Sequence, residues 1–521
     1  MTRHAYLFQA KGIQRYILEG GKLKDMVGAS ELVDRLCRSD ENDLLENVLN
    51  AADFPKPRSF SRRAGGVFML HYTAAEAGAF KRFHALWRLA VAMTVPGLEF
   101  VESNGDSESD NFFGARDAAY GKAGTRENSL ASLPPMAGPL AKRAQRTGLA
   151  AVPALAKYKE PEEELDAVTL CKRRMEFRLK DGKLSGGVAA RMTPVGIEAL
   201  NWPRDMEEDF PFIGRKHWIG VIHADISGLG ELWQRLKEQL KDSGNPAEES
   251  RKKSFEVEAA MIAAARCATE TVLLPEVRER DRMLPARPIV LGGDDLTIIV
   301  RADLAISFAE TFLQELEEHR IAEHQLSACA GIAFLKANQP FSMASRLAED
   351  LCKYAKSKVK KPENGSVLKP VPSAIAFHRI TSSLIDDYDD VIKDARTVRV
   401  NGAKYVLTRQ PYLVGKDRKS SLARLDDLKG LRDWISCGDV SIGPLRNLES
   451  LLFVDQPAAQ KGYARWLNGM SQKQGVKQAE FTKFFAELSH SDPSADLPFS
   501  ETQDSAHATL LFDALDWREL A

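Results

Sequence analysis

The chain has 521 residues, of which 44% are apolar and 28% charged, with a formal net charge of −1. That length suits roughly three domains, and the composition is that of an ordinary globular protein. The near-neutral balance excludes any global pull towards nucleic acid or anionic lipid, so such contacts must come from local patches.

Six cysteines (Cys37, Cys171, Cys267, Cys329, Cys352 and Cys437) form no CxxC pair, which removes a zinc ribbon from consideration. The opening "MTRHAYLFQA" reads directly as a strand, without a signal peptide. No apolar run is long enough to cross a bilayer. The expected compartment is the cytoplasm, with reduced thiols and no membrane partner.

From the N-terminus, the stretch "KGIQRYILEGGKLKDMVGASELVDRL" follows the first strand. "AGGVFMLHY" (Ala64 to Tyr72) is a strand entered through two glycines. Residues 101–135 are acidic and rich in Gly, Ser and Asn, which predicts a mobile loop or linker. Residues 140–215 hold a basic cluster (Lys142, Arg143, Arg146, Lys157 and Lys159), read first as a solvated helix face and second as an RNA contact. The stretch "RRMEFRLK" interleaves aromatic and basic residues but is too short to support a nucleic-acid assignment.

Trp218 to Ile222 is a buried-strand run ending near Asp225. Behind it Leu229, Leu232, Trp233, Leu236 and Leu240 recur at helical spacing. Helices are expected over about 228–240 and 252–272. "PIVLGGDDLTIIV" (Pro288 to Val300) then reads as two strands joined by a tight turn at Gly292–Asp295. Next come a helix near 303–319, an alternating strand from Leu326 to Phe334, a helix near 341–360 and a short strand from Ser373 to His378. This is the ferredoxin-like order β-α-β-β-α-β, with additions. Residues 415–521 read as amphipathic helices, for example "LARLDDLKGLRDWI", and predict a small bundle.

A carboxylate at a strand end, before a Gly-containing turn into a helix, lies at the open edge of a sheet, where ligands dock. If the GGDD hairpin lies beside that strand, Asp225, Asp294 and Asp295 meet. Like charges so gathered need a cation, and carboxylates plus phosphate oxygens suit Mg²⁺. Lys353, Lys356 and Lys360 share a helix face. They are either solvated lysines that suit the helix dipole or, for Lys356, a grip on a triphosphate. His223 is expected to be a packed strand residue and not a base.

The blocks D-x-S-G-L, GGDD, "SACAGIAF", "LAEDLCKYAKSKVK" and "SAIAFH", in that order over about 216–380, resemble the second palm of the large subunit of type III CRISPR–Cas effector complexes, related to GGDEF cyclases. Residues Phe8 to Leu36 are similar to the opening of the first palm in the Cmr-type version. Gly12, Ile13, Gln14, Lys24, Asp25, Ala29 and Ser30 fill its motif positions. "LTRQPYLV" is similar to the stretch after the second palm. An internal duplication fits this. Gln9 lies opposite Asp225, Gly12 opposite Gly228, and Gly65 and Gly66 opposite Gly292 and Gly293, with Val67 and Phe68 at the acidic positions.

The resemblance implies an α+β fold with two ferredoxin-like, GGDEF/cyclase-like palms, a helical linker and a C-terminal helical bundle. The expected boundaries are 1–139 (first palm, degenerate), 140–215 (linker without a zinc site), 216–414 (second palm with GGDD) and 415–521. No histidine is followed by aspartate, so the HD nuclease domain of relatives is not expected. The implied activity is metal-dependent nucleotidyl transfer. ATP is joined into cyclic oligoadenylates, within an RNA-sensing complex of guide and target RNA and other effector subunits. The implied ligands of a two-metal Mg²⁺ or Mn²⁺ site are Asp225, the Ile226 carbonyl, Asp294 and Asp295. Gly292 and Gly293 admit the nucleotide, Ser227 and Gly228 lie at its base or ribose edge, and Lys356 neutralises the β- and γ-phosphates. The alternatives are a stand-alone nucleotide cyclase without guide RNA, and a non-catalytic palm scaffold that binds RNA or partner subunits.

Overall fold

The computed structural model describes residues 2–520 apart from 39–43, 108–110, 127–135, 181–186, 198–199, 207, 215, 242, 362–369, 381–387, 401–402, 416–421, 438–439, 487–496 and 503–505. No helix among the described residues is long and apolar enough to cross a membrane.

The chain begins with β1 (Arg3–Lys11), α1 (Ile13–Leu18), α2 (Leu23–Cys37) and α3 (Leu44–Ala51). The hairpin β2 (Ser59–Ala64) and β3 (Val67–Thr73) follows, then α4 (Ala77–Thr94), β4 (Glu99–Ser107) and α5 (Phe112–Arg126). The four strands pair in the order β2-β3-β1-β4. Residues 101–107 are thus a strand and 112–126 a helix, where the polar composition predicts a loop. The strand is polar but alternates: Val101, Ser103 and Gly105 are buried as it pairs along β1, and Ala115, Ala119 and Ala123 of α5 cover it. Small residues permit that close approach, and composition alone does not report it. The remainder of that stretch, 127–135, lies outside the described residues.

Two helices, α6 (Ala167–Lys180) and α7 (Val188–Met192), lead to the second unit. There β5 (Trp218–Ile226), α8 (Leu229–Leu240), α9 (Pro246–Ala268), β6 (Ala286–Gly292), β7 (Asp295–Arg301) and α10 (Ala302–Glu317) come in turn. After a ribbon of β8 (Arg320–Ile321) and β9 (His324–Gln325) come β10 (Ala328–Lys336), α11 (Phe341–Val359) and β11 (Ala374–Arg379). Helix α9 starts earlier than the apolar pattern indicates, because the Asn245 side chain accepts from the Glu248 amide and Pro246 opens the first turn. The one-turn helix α12 (Tyr388–Asp390) and strands β12 (Thr397–Val400), β13 (Ala403–Val406) and β14 (Tyr412–Leu413) follow. Helices α13 (Leu425–Ser436), α14 (Gly443–Val454) and α15 (Gln456–Ala486), strands β15 (Ser500–Glu501) and β16 (His507–Ala508), and α16 (Leu511–Leu520) complete the chain.

The larger sheet has the order β14-β11-β10-β5-β7-β6. Its segment β6-β7-β5-β10 repeats the order β2-β3-β1-β4 of the first unit, with antiparallel pairing throughout. The chain is therefore α+β and internally duplicated. The helix-opening glycines match as well: Gly12 and Gly228 both adopt left-handed backbone, φ 55° and 74°. One detail of the sequence alignment is corrected. Gln9 pairs with Val67, whereas Asp225 pairs with Asp295. Val67 is thus the counterpart of Asp295, and Gly66, not Val67, the counterpart of Asp294. The two turns differ in conformation, so aligning the Gly pairs shifts the strands by one residue. The first unit still offers no carboxylate at either position.

The larger sheet is buried on both faces. Ile222, Ala224 and Ile226 face a core shared with α9 and the C-terminal helices, while Ile219 and Val221 face one shared with α11 and the first unit. This explains the uninterrupted apolar run of β5. A small sheet, β12-β13-β16-β15, joins residues near 400 to residues near 505.

Candidate nucleotide-binding and catalytic site

β5 and β7 are neighbours, so Asp225, at the end of one, faces Asp295, at the start of the other, as Cα partners. Such partners lie about 5 Å apart. Asp294 occupies the turn before β7, and its carbonyl accepts the Ile226 amide at 3.3 Å. Three carboxylates distant in sequence therefore share one rim. Gly293 takes φ 62°, and a Cβ at Gly292 or Gly293 would meet nothing within 4 Å. The space over this turn is open to a ligand.

α11 crosses the same rim. Lys356 forms an ion pair with the Asp225 carboxylate and donates to the Ile226 carbonyl at 3.0 Å. Its ammonium thus sits on two of the oxygens expected to hold metal. Lys353 turns instead to Glu349 at 2.6 Å. Glu349 is an acidic neighbour of the rim that the sequence reading missed; its place one turn before Lys353 on the lysine face was the available signal. Burial, followed by the charges of Asp294 and Asp225, pushes the Asp295 carboxyl up to about 7. Added positive charge beside this carboxyl would favour its ionised form. The donor set is all oxygen, carboxylates and one carbonyl, which fits a hard divalent cation. Among the described residues no three acidic, histidine or cysteine side chains are gathered closely enough to hold an ion as they stand.

Two expectations need correction. The Ser227 side chain does not face the ligand space. It is buried, 3.8 Å from Cys329 Sγ, because its amide donates to the Ser327 carbonyl and turns the residue inwards. The basic cluster at 142–159 is not a helix face. Arg146 pairs with Asp25 and Glu163, and Lys142 and Lys159 pair with Glu164, in turns and short bridges. Gly228 opens α8, with His324 Nε2 as the nearest neighbour to its face, at 3.9 Å. His223 is buried, and burial lowers it to about 4, so it stays neutral in the strand.

Two cavities meet at the hairpin tip. One, of about 660 Å³, runs between the units and is walled by Gln9 and Gly12–Arg15 on one side and Ile289–Asp295 on the other. The second, of about 270 Å³, is lined by Trp233 and Leu229 of α8, Ser250, Ser254 and Val257 of α9, and Arg62, Arg116 and Tyr120 of the first unit. Gly293 and Asp294 border both.

The first unit is bolted to this hairpin. Ser30 donates to the carbonyl of Ile289. Arg191 of α7 donates to both Asp34 carboxylate oxygens, at 2.7 and 2.9 Å, and to the Leu291 carbonyl. Gln14 contacts His223 Nδ1 at 3.1 Å and accepts from Ser345 at 3.2 Å. Asp34 and Arg191 carried no sequence signal, being isolated charges far apart in the chain.

Residues 218–364 match the family model of the Cas10/Cmr2 second palm domain. This palm holds Asp225, the GGDD hairpin and Lys356. No curated protein sequence matches the chain. Among solved structures, the chain is similar to the Csm1–Csm4 cassette in complex with cA4 (14% identity, 90% of this chain and 64% of that one, TM-score 0.45). It is also similar to the type III-B Cmr-β complex in its apo state (10%, 89% and 77%, TM-score 0.47) and to Csm1 in T. onnurineus (14%, 89% and 64%, TM-score 0.43). The chain thus spans less than two thirds of the length of the Csm1 chains. Outside the palm segment, the unit that begins at β1 repeats the strand order of the Cas10/Cmr2 palm without its acids.

Proposed function

We propose that this chain is a nucleotidyltransferase that joins ATP into cyclic oligoadenylates or a related cyclic nucleotide, as the large subunit of an RNA-sensing type III CRISPR-like complex. The observation that supports this most directly is the Asp225–Asp295 pairing with Asp294 beside it, at a rim shared by two cavities. The reaction forms a bond from one nucleotide's 3′-oxygen to the α-phosphorus of another. The bond to pyrophosphate breaks and the hydroxyl proton leaves to solvent. Positioning and charge neutralisation dominate such transfers.

Asp225, Asp294, Asp295 and the Ile226 carbonyl are the groups that would hold Mg²⁺ or Mn²⁺, which when bound supplies charge neutralisation and acidifies the attacking hydroxyl. Lys356, released from Asp225, neutralises the β- and γ-phosphates. The apolar and aromatic lining of the smaller cavity, Leu229, Trp233 and Val257, seats a base, and Ser250 and Ser254 offer it hydrogen bonds. The first unit closes the cleft and contributes no carboxylate to the chemistry.

The test is incubation of the protein with ATP and Mg²⁺ or Mn²⁺, with and without co-purifying RNA, followed by product analysis. The Asp294→Ala, Asp295→Ala double variant should lose product while remaining folded. Continued polymerisation by that variant sinks the assignment. RNA-independent synthesis would instead mark a stand-alone cyclase.

A further inference from the structure

The first unit has lost its acids, yet its hairpin keeps the irregularity of its counterpart. In β6–β7 the register skips Ile289, between Pro288 and Val290. In β2–β3 it skips Ser61, between Phe60 and Arg62. Because Gln9–Val67 matches Asp225–Asp295, Met69 matches Thr297. Their partners Arg62 and Val290 are then equivalent positions, one residue beyond equivalent bulges. Bulges re-aim side chains and recur beside active sites. At this re-aimed position the first unit has an arginine where the acid-bearing unit has a valine.

Arg62 borders both cavities, as do Gly293 and Asp294. It is half-buried and has no hydrogen-bond or ion-pair partner among the described residues. Its neighbour Arg63 is fully engaged by Glu46 and the Cys37 carbonyl. Arg116, on the wall of the smaller cavity, is already ion-paired to Asp117 at 3.5 Å. A guanidinium left unpaired where two cavities meet is suited to an oxyanion that spans them, and its planar fork matches phosphate oxygens.

The geometry points to Arg62 as a substrate-contacting residue, lent by the acid-free unit to the phosphate group that passes between two nucleotides at the hairpin tip. This rests on the nucleotidyltransferase reading and adds a cation opposite the carboxylate rim. The phosphoryl group exchanges its bond to pyrophosphate for one to the 3′-oxygen. Arg62 donates hydrogen bonds to its non-bridging oxygens throughout and takes no proton.

The test is calorimetric binding of a non-hydrolysable ATP analogue, with Mg²⁺, to the parent protein, Arg62→Ala and Arg62→Lys. The alanine variant should bind about tenfold or more weakly, as expected for losing a charge-assisted contact. Lysine should recover part of that loss, and neither variant should shift the unfolding midpoint. Binding by Arg62→Ala within twofold of the parent overturns the inference, as does a lowered midpoint, which would make Arg62 a structural residue. Analogue binding that depends on Arg62 in a parent that makes no cyclic product would refute the proposed activity and leave the contact standing. A parent that binds no analogue would refute both.

Discussion

Lys356 and Asp225 form an ion pair across the rim of the larger sheet, and the same ammonium donates to the Ile226 carbonyl at 3.0 Å. A divalent cation and this lysine therefore compete for the same oxygens. Lys356→Met should raise Mn²⁺ affinity on the order of tenfold, a modest factor because the Asp225 side chain is 33% exposed and screened. The same variant should lose most ATP turnover, having lost the cation for the triphosphate. Manganese titration followed by electron paramagnetic resonance reads the first effect, and an unchanged dissociation constant would disprove the competition.

Asp295 titrates near neutrality because burial, Asp294 and Asp225 outweigh Lys356. Its pKa in the folded protein lies above the ordinary carboxylate value. Its contribution to stability is therefore complete in acid and is lost as pH rises through about 7. Without metal, the protein should lose stability through this group by about 1.4 kcal/mol per pH unit as pH rises from about 4 to about 7, and by little above that. Asp295→Asn should flatten that slope, and saturating Mg²⁺ should do the same, because a cation takes the proton's place. His223, lowered to about 4, acts in the opposite sense. It gains stability for the fold as pH rises towards its ordinary value and contributes little above it. Thermal unfolding in matched buffers decides the matter, and parallel pH profiles for parent and Asn variant would contradict it.

Arg191 and Asp34 are both buried, with side chains 6% and 7% exposed. Removing the arginine leaves a buried charge and frees the Leu291 carbonyl just before the GGDD turn. Arg191→Ala should cost about 3 to 5 kcal/mol in denaturant unfolding. The double variant Arg191→Met, Asp34→Leu should be less damaged than the single one, since no lone charge remains. Additive losses would show that the two side chains act independently.

Gly331 lies in β10 under α11, where a Cβ would come within 2.0 Å of the Ala348 carbonyl. Gly331→Ala should force the helix bearing Glu349 and Lys356 away from the sheet, at about 1 to 3 kcal/mol. Thermal unfolding of this variant at the parent's midpoint would mean that α11 is not seated as described.

The second palm was legible in the sequence because its signals are local. Asp225 closes an apolar strand, Gly292–Asp295 is a turn between two β-rich runs, and Lys356 falls on a regular helical stripe. The order of those elements leaves few ways to build a sheet. The strand formed by residues 99–107 was not legible, because polar residues dominate its outer face, while the face that packs (Val101, Ser103 and Gly105) is small and is covered only through pairing with β1 and the small side chains of α5. Those partners are invisible to any short window.

The acids and their approximate meeting place thus follow from the chain read residue by residue, since backbone propensity and hydrophobic period act over a few positions. Four things emerged only from the folded molecule: the one-residue offset between the hairpins, the inward turn of Ser227, the hold of Lys356 on Asp225, and the place of Arg62 between two cavities. Each depends on which segments, tens to hundreds of residues apart, are pressed together. That choice belongs to the packing of the two units against one another through their helices, a cooperative property that no single stretch encodes.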